Sequence, residues 1–155
     1  MQNDRIQKIA KEVIQFEINA LNNLKNSINL SLSKVVKLIL NCKQGKVIIS
    51  GVGKSGIIAR KWAATFSSTG TPSFFLDATN ASHGDMGMVG NEDIIFAISW
   101  SGETSELGDI IHFSKENKIG LISLTSSSDS LLSQSSDVAL ILPKATEACP
   151  NGLAP

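Results

Sequence analysis

An α/β fold, a three-layer sandwich around a five-stranded parallel sheet preceded by a long N-terminal helix, is predicted from three observations. Short continuous apolar runs recur along the chain, each followed by a polar loop and a stretch with helical spacing. Runs of this kind mark strands buried on both faces, as in parallel sheets. The 155 residues are enough for one domain that buries most of the apolar surface its unfolded chain exposes. Strands alternating with helices require right-handed crossovers, and these place helices on both faces of an open sheet.

The first element is a helix, because Ile6, Ile9, Val13, Phe16, Ala20, Leu24 and Ile28 recur at steps of three and four. Asn3 or Asp4 is its expected N-cap. So long a rod, against a mean helix of about 11–12 residues, packs in part on another subunit or lies across its own domain. Ser31 or Ser33 caps a second apolar helix through Val36, Leu38, Ile39 and Leu40, which Gly45 stops. These helices, 1–44, precede an α/β domain at 45–155. Its first strand is Lys46-Val47-Ile48-Ile49-Ser50, followed by a glycine loop and a helix over 57–68. Thr71-Pro72 turns the chain into a second strand, Ser73-Phe74-Phe75-Leu76, and a loop with a short helix leads to the third, 93–98. A helix over 104–117, a strand over 120–124, a short helix over 130–134 and a strand over 138–142 complete the pattern.

Composition narrows the function. Fourteen basic residues balance fourteen acidic ones, so the net charge is zero and no field attracts a nucleic acid. A hydrophobic content of 42% excludes a disordered chain. No apolar run approaches the ~20 residues that cross a bilayer, and the N-terminus lacks a signal peptide's apolar stretch. Cys42 and Cys149 lie far apart without metal or redox spacing; Cys42 reads as core, and Cys149 is open to thiol reagents. A soluble cytoplasmic protein is expected.

In open parallel sheets ligands bind at the carboxyl ends of the strands, beside the point where strand order reverses. Two loops there carry chemistry. Gly51-Val52-Gly53-Lys54-Ser55-Gly56 fits a dinucleotide loop, with Asp77 placed for a ribose hydroxyl, although Lys54 puts a cation where bare backbone should approach pyrophosphate. A P-loop is excluded, because its first glycine would fall at Ile48 inside the strand. The element shared by all readings is an anion held by backbone N–H groups at a helix start; the alternative is a tight turn and nothing more. Ser99-Trp100-Ser101-Gly102-Glu103-Thr104 is more specific, because three hydroxyls around a glycine can encircle one phosphate without arginine. A lone N-cap, with Ser101 or Thr104 capping and Glu106 reaching back, would need one hydroxyl.

These loops, with Gly70-Thr71-Pro72-Ser73-Phe74-Phe75, His83-Gly84-Asp85-Met86-Gly87-Met88 and Glu147-Ala148-Cys149-Pro150-Asn151-Gly152-Leu153-Ala154-Pro155, resemble sugar isomerase (SIS) domains, and among them the D-arabinose-5-phosphate isomerases. The likeness runs from Gly45 to the last residue. It implies a flavodoxin-like or Rossmann-like SIS fold. It also implies interconversion of D-ribulose 5-phosphate and D-arabinose 5-phosphate, supplying Kdo for lipopolysaccharide. Carried over with it are Lys54, Glu106 and Glu147 as catalytic residues and Ser55, Ser99, Ser101, Gly102 and Thr104 as the phosphate pocket. Gly70, Thr71 and His83 are carried over as further substrate contacts, and a dimer of dimers as the assembly.

Aldose–ketose isomerisation through an enediol needs a base and a donor for the enediolate oxygen, but no cofactor and no metal. Lys54 can stabilise phosphate or enediolate charge. Glu106, in a first helical turn, has its pKa lowered there, which favours Glu147 as the base. His112, mid-helix, reads as a packing or surface residue. Where relatives carry a histidine linked to metal contact, this chain has Asp77. Relatives continue beyond Gly-Leu-Ala-Pro into a helix, a further histidine implicated in catalysis and paired CBS domains, so little activity is expected from these residues alone. The alternative function is a regulatory module of the same fold that binds a sugar phosphate without turning it over.

Overall fold

The structure, a computed structural model, describes residues 2–149 and Asn151, with side chains from Asp4 onward. Pro150 and the Gly152-Leu153-Ala154-Pro155 end of the last motif lie outside the described residues, as does the side chain of Asn3. The chain forms two compact units: Asn29–Ile141, and the N-terminal helix with the segment from Leu142 onward. In the second unit α1 spans Gln2–Ser27. Asp4 therefore sits in its first turn, where a carboxylate complements the helix dipole, and does not act as the N-cap.

The larger unit opens with α2 (Leu30–Asn41), whose N-cap is Asn29, ahead of the expected Ser31 or Ser33. The Asn29 amide oxygen accepts the Ser31 N–H at 2.8 Å. Val35 of this helix is buried in the sheet's core with Ile39 packed against it, and the compact unit takes in α2.

Five parallel strands follow: β1 (Val47–Gly51), β2 (Ser73–Asp77), β3 (Ile94–Ile98), β4 (Gly120–Thr125) and β5 (Val138–Ile141), in the order β2-β1-β3-β4-β5. That order is the flavodoxin-like one, and its switch point lies between β1 and β3. Side-chain alternation divides the core in two. Val47, Ile49, Ile94, Phe96, Ile98 and Ile122 face α2 and α3 (Gly53–Ser68), where Trp62 lies 4.7 Å from the Phe96 ring. Ile48, Ile95, Ala97 and Leu121 face the other layer, built from α4 (Ala78–Ala81), α5 (Gly108–Asn117) and α6 (Leu131–Ser135). Single-turn 3₁₀ segments at Asp85–Met88 and Ser105–Leu107 complete it. Among the described residues no helix is long and apolar enough to cross a membrane.

A latch built on a buried carboxylate fixes the amino-terminal edge of the sheet. The Asp93 carboxylate accepts the backbone N–H groups of Lys46 (2.7 Å) and Gly90 (2.8 Å) and pairs with Lys46 Nζ at 3.2 Å. It thereby ties the entry of β1 to that of β3, and Cys42 packs against the same corner through the carbonyl of Glu92. Burial, first of several causes, pushes the Cys42 thiol up; the side chain is half-buried and packs against the core from its margin.

Candidate functional site

The loops after β1 and β3 lie side by side, because Gly51 is registered against Ile98. Helix α3 starts at Gly53, four residues earlier than its apolar pattern predicts, so Lys54 and Ser55 lie in its first turn. A Cβ at Gly56 would meet the Gly51 carbonyl at 2.8 Å; only glycine lets the helix start so close to the strand it follows. Val52 at the N-cap contributes no side-chain bond, which leaves the first N–H groups of α3 open to an anion. Lys54 is exposed with no ion-pair partner among the described residues, and Ser55 is half-buried beside it.

In the second loop Ser99 is buried. Its Oγ accepts the Gly102 N–H at 3.0 Å and lies 2.7 Å from Thr104 Oγ1. Ser101 is exposed, and its Oγ accepts the Glu103 N–H at 3.2 Å, which leaves its own O–H to donate. The backbone N–H groups of Ser101 and Thr104 have no acceptor among the described residues. The hydroxyls therefore shape a ring of donors, and no capping box forms: Thr104 makes no side-chain cap, and Glu106 accepts from Ser105 Oγ at 2.8 Å. Its own backbone N–H, then Ser105, hold the exposed Glu106 carboxyl below the usual range. The lowering expected from a helix start is present, with local hydrogen bonds as its cause.

Gly102 adopts φ of 71°, and a Cβ there would run into Ser130 Oγ and Cβ and reach Thr125 Oγ1 at 2.9 Å. The backbone of this loop thus lies hard against the β4–α6 connection. Glu103, which sequence reasoning passed over, is part of that contact: its Oε1 accepts the Leu131 N–H at 2.8 Å. Its signal, an acid next to a serine-glycine pair, has no pairing partner visible in the sequence.

The remaining candidates divide by position. His83 is exposed beyond the carboxyl end of β2, the same edge as the two loops. Asp77 is spent as the cap of α4, accepting the Thr79 N–H at 3.0 Å, and no metal-holding group of three His, Cys, Asp or Glu occurs among the described residues. His112 is a surface residue paired with Glu116 at 3.4 Å. Gly70 and Thr71 are not brought to the pocket of their own chain. They precede β2 at the amino-terminal edge, where Val47 N–H bonds Pro72 O, one strand length away, or about 15 Å at ~3.3 Å per residue. Glu147 is exposed in the irregular segment 142–149, within the other compact unit.

The SIS domain family model matches residues 39–155. The chain belongs to the SIS-domain family. Its relatives include arabinose 5-phosphate isomerase KdsD of Escherichia coli (strain K12), 46% identical over 149 residues, 96% of this chain and 45% of the relative. A probable arabinose 5-phosphate isomerase of Haemophilus influenzae is 44% identical over 148 residues, 96% of this chain and 44% of the relative. The chain thus spans less than half the length of these curated relatives. On a solved E. coli CFT073 structure in complex with arabinose 5-phosphate, this SIS domain superposes with a TM-score of 0.93 at 44% identity, covering 100% of this chain and 82% of that one.

Proposed function

We propose that this SIS domain interconverts D-ribulose 5-phosphate and D-arabinose 5-phosphate as part of a cytoplasmic aldose–ketose isomerase that supplies Kdo for lipopolysaccharide, with no cofactor and no metal. The observation that carries the reading is the ring of neutral donors at the β1/β3 switch point. Beside it stands Lys54, a cation without an ion-pair partner among the described residues. Such a ring suits a dianionic monoester that must also be released, and the likeness to arabinose 5-phosphate isomerases supplies the sugar.

In this scheme Ser55, Ser101, Thr104 and the open N–H groups of α3 hold the phosphate, and Ser99 and Gly102 shape the loop. A carboxylate removes the C1 proton of the ketose while the C2 oxygen gains one, giving the enediol. Return of a proton to C2 and loss of one from O1 gives the aldose. Lys54 stabilises the enediolate charge. The Glu106 carboxylate is engaged by Ser105 Oγ, and the shuttle is assigned to Glu147. His83 assists ring opening. Gly70 and Thr71, at the far edge of their own sheet, serve a neighbouring subunit's site, which accords with a dimer of dimers.

The test is incubation with ribulose 5-phosphate in D₂O, for this chain and for a longer one carrying the relatives' C-terminal continuation. Deuterium at C1 or C2 of the recovered sugar, abolished by Lys54→Ala, is the expected result. Saturable binding without exchange in both chains would instead make this a sensor domain.

A further inference from the structure

We infer that Glu103 is a positioning residue: its carboxylate, bonded to the Leu131 N–H, holds the 99–104 loop in its anion-binding shape. This role rests on the proposed reading of the loop as a phosphate pocket; the brace itself rests on geometry alone. Attachment and charge both point to Glu103.

The loop is fastened along its length to the β4–α6 connection. Trp100 O accepts from Thr125 Oγ1 (3.1 Å), Ser126 N–H (2.9 Å) and Ser126 Oγ (2.8 Å), and Gly102 O accepts the Leu132 N–H at 3.1 Å. All of these bind the loop through backbone carbonyls. The attachment made by a side chain of the donor ring's own segment is Glu103 Oε1 to Leu131 N–H, at 2.8 Å. It fixes the residue next to Thr104, whose backbone N–H is one of the open donors of the ring.

Charge gives the second reason. A carboxylate one residue from a phosphate pocket repels the ligand if its side chain swings free, since unit charges a few ångströms apart still interact by about 1 kcal/mol or more in water. Tied to Leu131 N–H, the carboxylate is held on the α6 side by a charge-assisted hydrogen bond. The same bond thus sets loop geometry and keeps the anion's approach clear.

The test exploits the fact that Leu131 is the first residue of α6 and exposed, a position where proline is tolerated and removes only the donor. Affinity for inorganic phosphate and for arabinose 5-phosphate is measured by NMR titration of the wild-type chain, Glu103→Ala, Glu103→Gln, Leu131→Pro and the double variant Glu103→Ala with Leu131→Pro. Glu103→Ala is expected to weaken binding about fivefold, in line with one charge-assisted hydrogen bond partly open to water, and Leu131→Pro, which breaks the brace and also frees the carboxylate, at least as much. The double variant should bind no worse than either, and Glu103→Gln, which keeps an acceptor, should bind as the wild type does. Wild-type affinity in Glu103→Ala, or losses that multiply in the double variant, would overturn the inference. If the wild type binds neither anion, the proposed function fails, and amide exchange at Gly102 to Thr104 decides the brace. Exchange faster by a similar factor in both single variants upholds it, and unchanged exchange refutes it.

Discussion

Substituting Gly102 by alanine probes how tightly the serine loop is built. Two costs add. A residue with a Cβ at φ of 71° loses about 1–2 kcal/mol against glycine. The new methyl also meets Ser130 Oγ and Cβ, with Thr125 Oγ1 at 2.9 Å, in a connection already closed by hydrogen bonds. Overpacking of this kind costs about 1–3 kcal/mol, so the total is about 2–5 kcal/mol. Urea unfolding followed by far-UV circular dichroism measures it. A companion variant, Gly102→Ala with Ser130→Gly, removes the two Ser130 atoms the methyl meets and leaves the Thr125 Oγ1 contact, while glycine at the N-cap of α6 costs only a few tenths of a kcal/mol. It should recover most of the packing part and leave the backbone part. A Gly102→Ala chain within about 0.5 kcal/mol of the wild type would refute the reasoning, because the loop would then be free to move away from Ser130.

Removing the Asp93 carboxylate by Asp93→Ala should destabilise the fold by about 1–3 kcal/mol, since it leaves the part-buried Lys46 and Gly90 N–H groups without their acceptor while the half-exposed Lys46 ammonium stays hydrated; thermal and urea melts check this. Ser50→Ala and Ser123→Ala should be neutral or stabilising in the same melts, because both hydroxyls are buried without a partner among the described residues; a loss above about 1 kcal/mol would reveal an ordered water on them. The Glu106 carboxyl should titrate by NMR below the reference value of about 4.3, and Ser105→Ala should bring it closer to that value. With the folded pKa depressed, the contribution of Glu106 to stability is present above its unfolded pKa and is lost as pH falls through the folded one. The pH dependence of stability in Glu106→Gln should therefore differ from the wild type only in that acid window.

Much of the fold is legible in the sequence because buried parallel strands carry their own signature. Val47-Ile48-Ile49 and Ile94-Ile95-Phe96 are apolar on both faces, and both faces are covered. Boundaries are harder where glycine has two uses. Gly53 and Gly56 look like loop residues, yet Gly56 serves the helix by permitting its approach to Gly51, so α3 starts before its apolar pattern does. Asn29 is hidden as a cap because Ser31 and Ser33 offer the same chemistry nearby. At the site, local spacing reveals Ser99, Ser101 and Thr104, which bond within six residues of one another. Contacts between distant segments leave no local trace. Glu103 with Leu131, Gly102 with Ser130, and the location of Gly70 and Thr71 at the opposite edge follow from tertiary packing and strand direction.

The central claim is the location of the anion pocket, and amide chemical-shift mapping during titration with arabinose 5-phosphate tests it most directly. The account predicts saturable shifts concentrated at residues 53–56 and 99–105, weakened by Ser101→Ala. Saturable shifts confined to the opposite edge of the sheet, around residues 90–93 and 118–120, or no shifts at millimolar ligand, would contradict it.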